Sequence, residues 1–129
     1  MARITFSNPP GAPQPTSRYS QAALIEGEGR RLVISGQVGV RPDGTTLAEP
    51  EDQMAQALAN LGAVLSAHGM GPGNLVKMTV FLTDPAQLPA WRRQRAAFLG
   101  DHAPTSTLLI VAGLANPALL IEVEGEAVG

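Results

Sequence analysis

The sequence predicts an α+β domain in which two helices cover one face of a mixed β-sheet, with the element order β-β-α-β-α-β-β. Three observations carry this prediction. Two segments have the apolar spacing of amphipathic helices, several shorter ones alternate apolar with polar residues, and 14 glycines and 11 prolines supply the turns between them. The length of 129 residues is typical of one domain, so we expect a single domain over residues 1–129.

The N-terminal part predicts an extended arm followed by a β-hairpin. The arm covers residues 1–17, is rich in proline and has a short candidate strand at Arg3–Ser7. Strands are predicted at Tyr19–Glu26 and Arg31–Val40, with residues 27–29 as the turn between them.

Strand alternation assigns faces within the second strand of this hairpin. Leu32 and Ile34 fall on one face, and Val33, Ser35 and Gln37 fall on the other. Gly36 in mid-strand indicates either a close approach to a ligand or a β-bulge.

The first helix is predicted at Pro50–His68, after a turn at residues 41–44 whose Asp-Gly pair supplies the positive φ of a tight turn. Pro50 suits the first helical position, and Gly69 ends the helix. Its apolar stripe consists of Met54, Leu58, Leu61 and Leu65.

A strand at Leu75–Leu82 and a second helix follow. Asp84 is the expected helix cap, with Gln87 completing a capping box. We expect Pro89 to separate this first turn from a main helical run at Ala90–Leu99. Near one face of this run lie Trp91, Arg95 and Phe98.

Two further strands are predicted at Ser106–Ala112 and Ala118–Ala127. In the last strand Leu119, Ile121 and Val123 face one way, and Glu122, Glu124 and Glu126 face the other. The face without helices would also carry Val33, Phe81 and Leu120, and such a half-apolar face predicts association with other subunits.

Composition excludes several classes of protein. The chain has no cysteine, which removes disulfides, thiolate catalysis and cysteine-based zinc sites. Nine basic and eleven acidic residues give a net charge of −2, which argues against a nucleic-acid partner. No apolar run is long enough to span a bilayer and no signal pattern opens the chain, so we expect a cytoplasmic protein without a membrane partner.

The remaining polar clusters have ordinary interpretations. Arg92, Arg93 and Arg95 form the only dense basic patch, which is typical of a solvated helix face. His68 and His102 lie far apart without a carboxylate at ligand spacing, so we predict no metal site.

Five segments in this order resemble the YjgF/RidA family of enamine and imine deaminases, also labelled endoribonuclease L-PSP. The resemblance runs from about Tyr19 to the C-terminus. Its segments are Tyr19-Ser20-Gln21-Ala22, Val33-Ile34-Ser35-Gly36-Gln37, Gln53 with Leu58-Ala59-Asn60-Leu61, residues 75–84, and Ile121-Glu122-Val123-Glu124 with Ala127.

The resemblance implies a homotrimer with a central barrel and active sites in the clefts between subunits. It also implies hydrolysis of small 2-imino or 2-enamine acids to 2-keto acids and ammonia, a detoxifying reaction that needs no cofactor. Two alternatives remain on the same fold: a non-catalytic protein that binds a small metabolite, and a weak endoribonuclease.

One position departs from the family pattern. Deaminases of the family carry Pro-Ala-Arg-Ser before the penultimate strand, with the arginine holding the substrate carboxylate, and Ser106 of Pro104-Thr105-Ser106-Thr107 stands in its place. A serine lacks the charge and the bidentate geometry of a guanidinium. This chain thus resembles an arginine-less branch, with either an altered substrate or a replacement anion contact from Arg18 or Arg92.

Glu122 is the predicted catalytic residue. It matches the glutamate that positions the hydrolytic water in the family, and a carboxylate there can move protons between water and the leaving amine. The alternative interpretation is a solvated strand glutamate. The predicted substrate-binding residues are Tyr19, Ser35, Gly36, Arg92, Thr105, Ser106 and Thr107, of which the two threonines are also ordinary strand formers.

Overall fold

The computed structural model describes residues 3–15, 20–27 and 29–129, so the predicted site residues Arg18 and Tyr19 lie outside the described residues. The strands and helices are β1 (Arg3–Ser7), β2 (Ala22–Glu26), β3 (Arg30–Val38), α1 (Pro50–Ala67), β4 (Leu75–Leu82), α2 (Leu88–Leu99), β5 (Thr105–Ile110) and β6 (Ile121–Val128). This order confirms the predicted α+β arrangement, including the short N-terminal strand.

The six strands form one sheet in the order β1-β2-β3-β6-β4-β5. Only β4 and β5 pair in parallel, since α2 connects them across the sheet, and the other described pairs are antiparallel. The C-terminal strand β6 therefore lies at the centre, between the hairpin strand β3 and the strand β4 that follows α1. This central position places Glu122 in the middle of the sheet.

Helix α1 packs across β3 and β6 as its apolar stripe predicts. Met54, Leu58, Leu61 and Leu65 are all buried, and Gly69 ends the helix with a φ of +69°. The core between the helices and the sheet is completed by strand residues that include Leu32, Ile34, Val80, Ile121 and Val123.

The predicted capping box before α2 is present. The Asp84 carboxylate accepts a hydrogen bond from the Ala86 N–H at 2.9 Å, and Gln87 Oε1 accepts from the Asp84 N–H at 3.3 Å. The first turn is separate from the main helical run, as expected: Pro85–Gln87 forms a 3-10 turn, and α2 begins at Leu88, two residues before the predicted start at Ala90. Pro89 lies in the first turn of α2, where its missing N–H breaks no helical hydrogen bond.

The face predicted for Gln37 is also wrong. The register between β3 and β6 shifts between Ile34 and Gln37, which marks a β-bulge. The additional residue reverses the alternation, so Gln37 pairs with the core residue Val123 and is itself only 2% exposed. Val33 and Ser35, before this shift, are half-buried, as expected for the face opposite Ile34.

Four strands are shorter than predicted, and one of them is β3, which ends at Val38 and not at Val40. β2 starts at Ala22, β5 ends at Ile110, and β6 starts at Ile121, three residues later than expected. Residues 118–120 instead approach α1, where the side chain of Gln53 binds the backbone of Ala118 and Leu120.

The sheet face opposite the helices is open and half-apolar. Cross-strand pairs place Phe6, Val33 and Phe81 on it together with Glu122, Glu124 and Glu126. Phe6 is 69% exposed, whereas Val33 and Phe81 are half-buried. Within the described ranges, neither helix combines the length and the hydropathy needed to cross a bilayer.

Candidate functional site

Glu122 and Gly36 lie against each other on the open sheet face. Glu122 is half-buried on β6, and the bulge of β3 brings Gly36 beneath its side chain. A Cβ atom on residue 36 would overlap Glu122 Oε2 and lie 2.7 Å from the carboxyl carbon. The absence of a side chain at residue 36 is therefore what gives the carboxylate its position.

The environment of Glu122 favours its protonated form. Burial raises the pKa of its carboxyl group, and the nearby negative charge of Glu124 raises it further. A carboxyl group with a raised pKa exchanges protons nearer to neutral pH, which suits an acid–base catalyst.

A hydrogen-bonded group of polar residues fixes the bulge beside Glu122. Gln37 Nε2 donates to Gln21 Oε1 at 2.6 Å and to the Ser35 carbonyl at 3.1 Å. The Ser35 hydroxyl donates to the Ser20 carbonyl at 2.6 Å. Ser35 thus lines the cleft with its hydroxyl bound to a backbone carbonyl. The buried Gln37 supports the bulge from the core side. Strict alternation of the strand sequence could not show this role of Gln37.

These residues form one wall of a cleft of about 840 Å³. The other walls come from the arm at Pro13 and Gln14, the turn at residues 42–44, and the loop at residues 115–119. Such a volume is in the range of small-molecule sites. The cleft is therefore the candidate active site.

Gln53 holds the two loops that border this cleft. It is fully buried, and its Nε2 donates to the Leu47 and Ala118 carbonyls, each at 2.8 Å, while its Oε1 accepts from the Leu120 N–H at 2.9 Å. Gly39 has no side chain, and a Cβ atom there would overlap the side chain of Gln53. In the sequence, Gln53 stands out only because it matches the family pattern, and the pattern assigns no role to it.

The serine and threonines of β5 lie apart from Glu122. Ser106 pairs with the core residue Met78 and lines a small pocket on the helix side of the sheet. Thr105 and Thr107 pair with Lys77 and Thr79, in the cross-strand rows of Glu126 and Glu124. Thr105 and Thr107 therefore lie on the same open face as Glu122, but in different cross-strand rows, since the β4 partner of Glu122 is Phe81.

Arg92 is exposed on α2, on the helix side of the sheet. Within one chain, the structure therefore brings together Glu122, Ser35 and Gly36 and places Arg92 and Ser106 on the opposite side of the sheet. Arg93 forms a 2.8 Å ion pair with Glu51, consistent with a solvated helix face.

The two histidines contact the backbone. His68 Nδ1 lies 2.8 Å from the Val64 carbonyl, and His102 Nε2 lies 2.7 Å from the Leu75 carbonyl. Across the described ranges, no three metal-ligating side chains cluster closely enough to hold an ion.

The chain is similar to known proteins in both its sequence and its fold. Residues 10–129 match the family model described as Endoribonuclease L-PSP. A RutC family protein of Pyrococcus horikoshii is 31% identical over 129 residues, 98% of each chain. The 2-iminobutanoate/2-iminopropanoate deaminase of Homo sapiens is 32% identical over 127 residues, 97% of this chain and 88% of that protein. The crystal structure of Escherichia coli TdcF with bound serine has a TM-score of 0.87 at 29% identity, covering 97% of this chain and 98% of TdcF.

Proposed function

Because the chain belongs to the endoribonuclease L-PSP family, also called YjgF/RidA, we propose that it hydrolyses a small imine or enamine in the cleft that contains Glu122. The human relative is named for deaminating 2-iminobutanoate and 2-iminopropanoate, and E. coli TdcF has been crystallised with serine. Both names support a small molecule as the substrate.

The proposed reaction needs one water and no cofactor. The Glu122 carboxylate takes a proton from a water molecule as its oxygen bonds to the C=N carbon of the protonated imine. The resulting carbinolamine then loses its C–N bond. Glu122 returns its proton to the nitrogen, which leaves as ammonia, and the remaining hydroxyl proton passes to this ammonia as the C=O bond forms, so the products are the carbonyl compound and ammonium. An enamine enters the same sequence after protonation at carbon.

The placement of Glu122 over Gly36 is the observation that carries this proposal. The carboxylate is half-buried, borders the cleft and has a raised pKa, and among the described residues no cation offsets its charge. A glutamate with only a structural role on a sheet surface would be solvated or ion-paired, as Glu126 is with Arg31 at 3.2 Å.

The proposal includes a homotrimer with the active site between neighbouring subunits. Ser106 and Arg92 lie across the sheet from Glu122 in one chain, so they can meet its substrate only from another chain. The half-apolar open face supplies a surface for such association.

The test is the Glu122→Gln variant. An amino-acid oxidase generates imines from several amino acids in the presence of the protein, and the decay of each imine is followed. We expect the variant to lose about 10²–10⁴-fold in rate, because it keeps the shape of the side chain but cannot accept the proton. The wild-type rate should fall as the pH drops through the Glu122 pKa, which lies above the usual value of 4.5.

Glu126→Gln is the matched control for this experiment. It removes a carboxylate from the same face of the same strand, but from one that is paired with Arg31. Its rate should stay within about twofold of the wild type, since surface ion pairs contribute little. An unchanged rate in Glu122→Gln would return Glu122 to the role of a solvated strand residue.

A second candidate is a non-catalytic protein that binds a small metabolite in the same cleft. The serine at position 106, in place of the family arginine, favours it. Saturable ligand binding without any acceleration of imine decay would support this alternative. The endoribonuclease name of the family has less support here, because Arg93 of the basic patch is already paired with Glu51.

A further inference from the structure

Arg95 occupies an unusual position on α2. It lies four residues after Trp91 and four before Leu99, and both of these neighbours are buried, at 2% and 9% exposure. Residues at this spacing share one helix face, but Arg95 itself is exposed, so it lies where the buried stripe of α2 meets solvent. The arginine carries a charge beside two buried apolar residues of the helix, and its side chain lines a pocket at the edge strand β5.

At that edge Arg95 and Ser106 line the same small pocket, with a volume of about 40 Å³. Its remaining lining consists of Met78, Leu99, Ala103 and Pro104. The volume exceeds what a water molecule needs and suits a group such as a carboxylate. Arg95 and Ser106 are both exposed, so the pocket opens to solvent. A guanidinium and a hydroxyl beside apolar side chains are the donors that bind a carboxylate by charge-assisted hydrogen bonds.

Both polar groups are available to a ligand. In the part of the chain that the structure describes, no carboxylate forms an ion pair with Arg95, whereas three other arginines have one. The pocket lining contains no acidic side chain that would compete with an anion.

We propose that Arg95 and Ser106 together bind the carboxylate of an anionic ligand in this pocket. Combined with the proposed function, the ligand is a 2-imino acid, and Arg95 is the residue that determines its specificity. The sequence separates Arg95 from Ser106 by ten residues and gives no sign that they meet. Since the pocket and Glu122 lie on opposite sides of the sheet, one substrate contacts both only where two chains adjoin.

The activity test compares two imines that differ by a carboxylate. One is formed by an amino-acid oxidase from phenylalanine, and the other by a flavin-dependent amine oxidase from 2-phenylethylamine. In Arg95→Gln we expect KM for the first to rise about 10- to 100-fold with kcat within about twofold. The constants for the second imine should not change. Arg95→Lys should be intermediate, because a lysine keeps the charge but not the bidentate geometry.

Arg3→Gln is the control, since it removes an exposed guanidinium from the far edge of the sheet. Equal losses for the two imines in Arg95→Gln, or no loss for either, would overturn the proposal. An absence of hydrolysis by the wild type would instead count against the proposed function alone.

A binding experiment tests the pocket independently of catalysis. Titration with 2-oxobutanoate should shift the NMR signal of the Ser106 amide saturably, and butanone, which lacks the carboxylate, should not. The shift should disappear in Arg95→Gln and remain in Arg3→Gln. Failure of 2-oxobutanoate to produce a saturable shift in the wild type would refute the anion pocket.

Discussion

The three alternating glutamates of β6 have three different environments, although the sequence presents them as equivalent. Glu126 pairs with Arg31, Glu124 is exposed, and Glu122 is half-buried with a raised pKa. The difference arises from what lies across the neighbouring strand. The register partner of Glu122 on β3 is Val38, but its side chain extends over Gly36, where the absence of a side chain leaves room for the carboxylate.

This contact leads to a prediction for Gly36→Ala. The added methyl group would overlap the Glu122 carboxylate and force it to move. We expect kcat for imine hydrolysis to fall about 10- to 100-fold with a smaller change in KM, because displacement of a positioned catalytic group by about 1 Å has a cost of that order. Steady-state kinetics on the purified variant would measure it.

Gly113→Ala is the matched control, since a Cβ there meets no atom within 4 Å. Its kinetics should equal those of the wild type. Wild-type kcat in Gly36→Ala would show that the carboxylate position over residue 36 has no part in the reaction.

Three of the residues predicted for the site line the cleft, but their arrangement was not predictable from the sequence. Matching to the family pattern singled out Ser35, Gly36 and Glu122, which the structure brings together. The proximity of Gly36 to Glu122 depends on a bulge that shifts the register by one residue, and strand alternation assumes that no such shift occurs. Gln37 was assigned to the wrong face for the same reason.

At the level of elements, α1 is the scaffold of the cleft as well as the cover of the core. Its buried face carries two amides among the apolar residues. Gln53 binds the loops at Leu47 and Ala118, and Asn60 Nδ2 donates to the Val38 and Val40 carbonyls at 3.1 and 2.8 Å. The end of β3 and both loops thus derive their positions from one helix.

Gln53→Leu should therefore destabilise the fold and loosen the cleft. The leucine has a similar size but leaves two carbonyls and the Leu120 N–H without their partners in a buried region. We expect the free energy of unfolding to fall by at least about 3 kcal/mol, because three groups are orphaned and each costs about 1–3 kcal/mol. Urea unfolding would measure the difference.

Gln56→Ala serves as the comparison, since Gln56 lies one turn along α1 and makes one half-buried hydrogen bond to Asn60. Its loss should be below about 1 kcal/mol. Similar stabilities of Gln53→Leu and the wild type would mean that the loops hold their positions without Gln53.

Local signals explain why the elements themselves were predictable. The capping box at Asp84 and the glycine after α1 act within a few residues, and the structure has both. The late start of β6 was not predictable, because it depends on Gln53, which is 65 residues from Ala118 in the sequence. A contact between two residues so far apart in the sequence leaves no trace in the spacing of apolar residues.

At the level of the whole molecule, the two groups of proposed ligand contacts lie on opposite sides of one sheet. Arg95 and Ser106 lie on the helix side at the β5 edge, and Glu122 lies on the open side at the centre. A single chain cannot present both to one small substrate. The proposed chemistry therefore depends on an assembly in which an edge of one chain reaches the open face of the next.

The assembly leads to the prediction that the protein in solution has three times the 13.4 kDa mass of the chain. Light scattering at micromolar concentration would measure it.

Val33→Glu should dissociate the assembly and abolish imine hydrolysis, because it places a carboxylate beside Glu126 on the half-apolar face. Ala55→Glu adds the same charge to the exposed side of α1 and should leave both mass and activity unchanged. A monomeric wild type that still hydrolyses imines would locate the whole reaction within one chain and remove Arg95 from the substrate site.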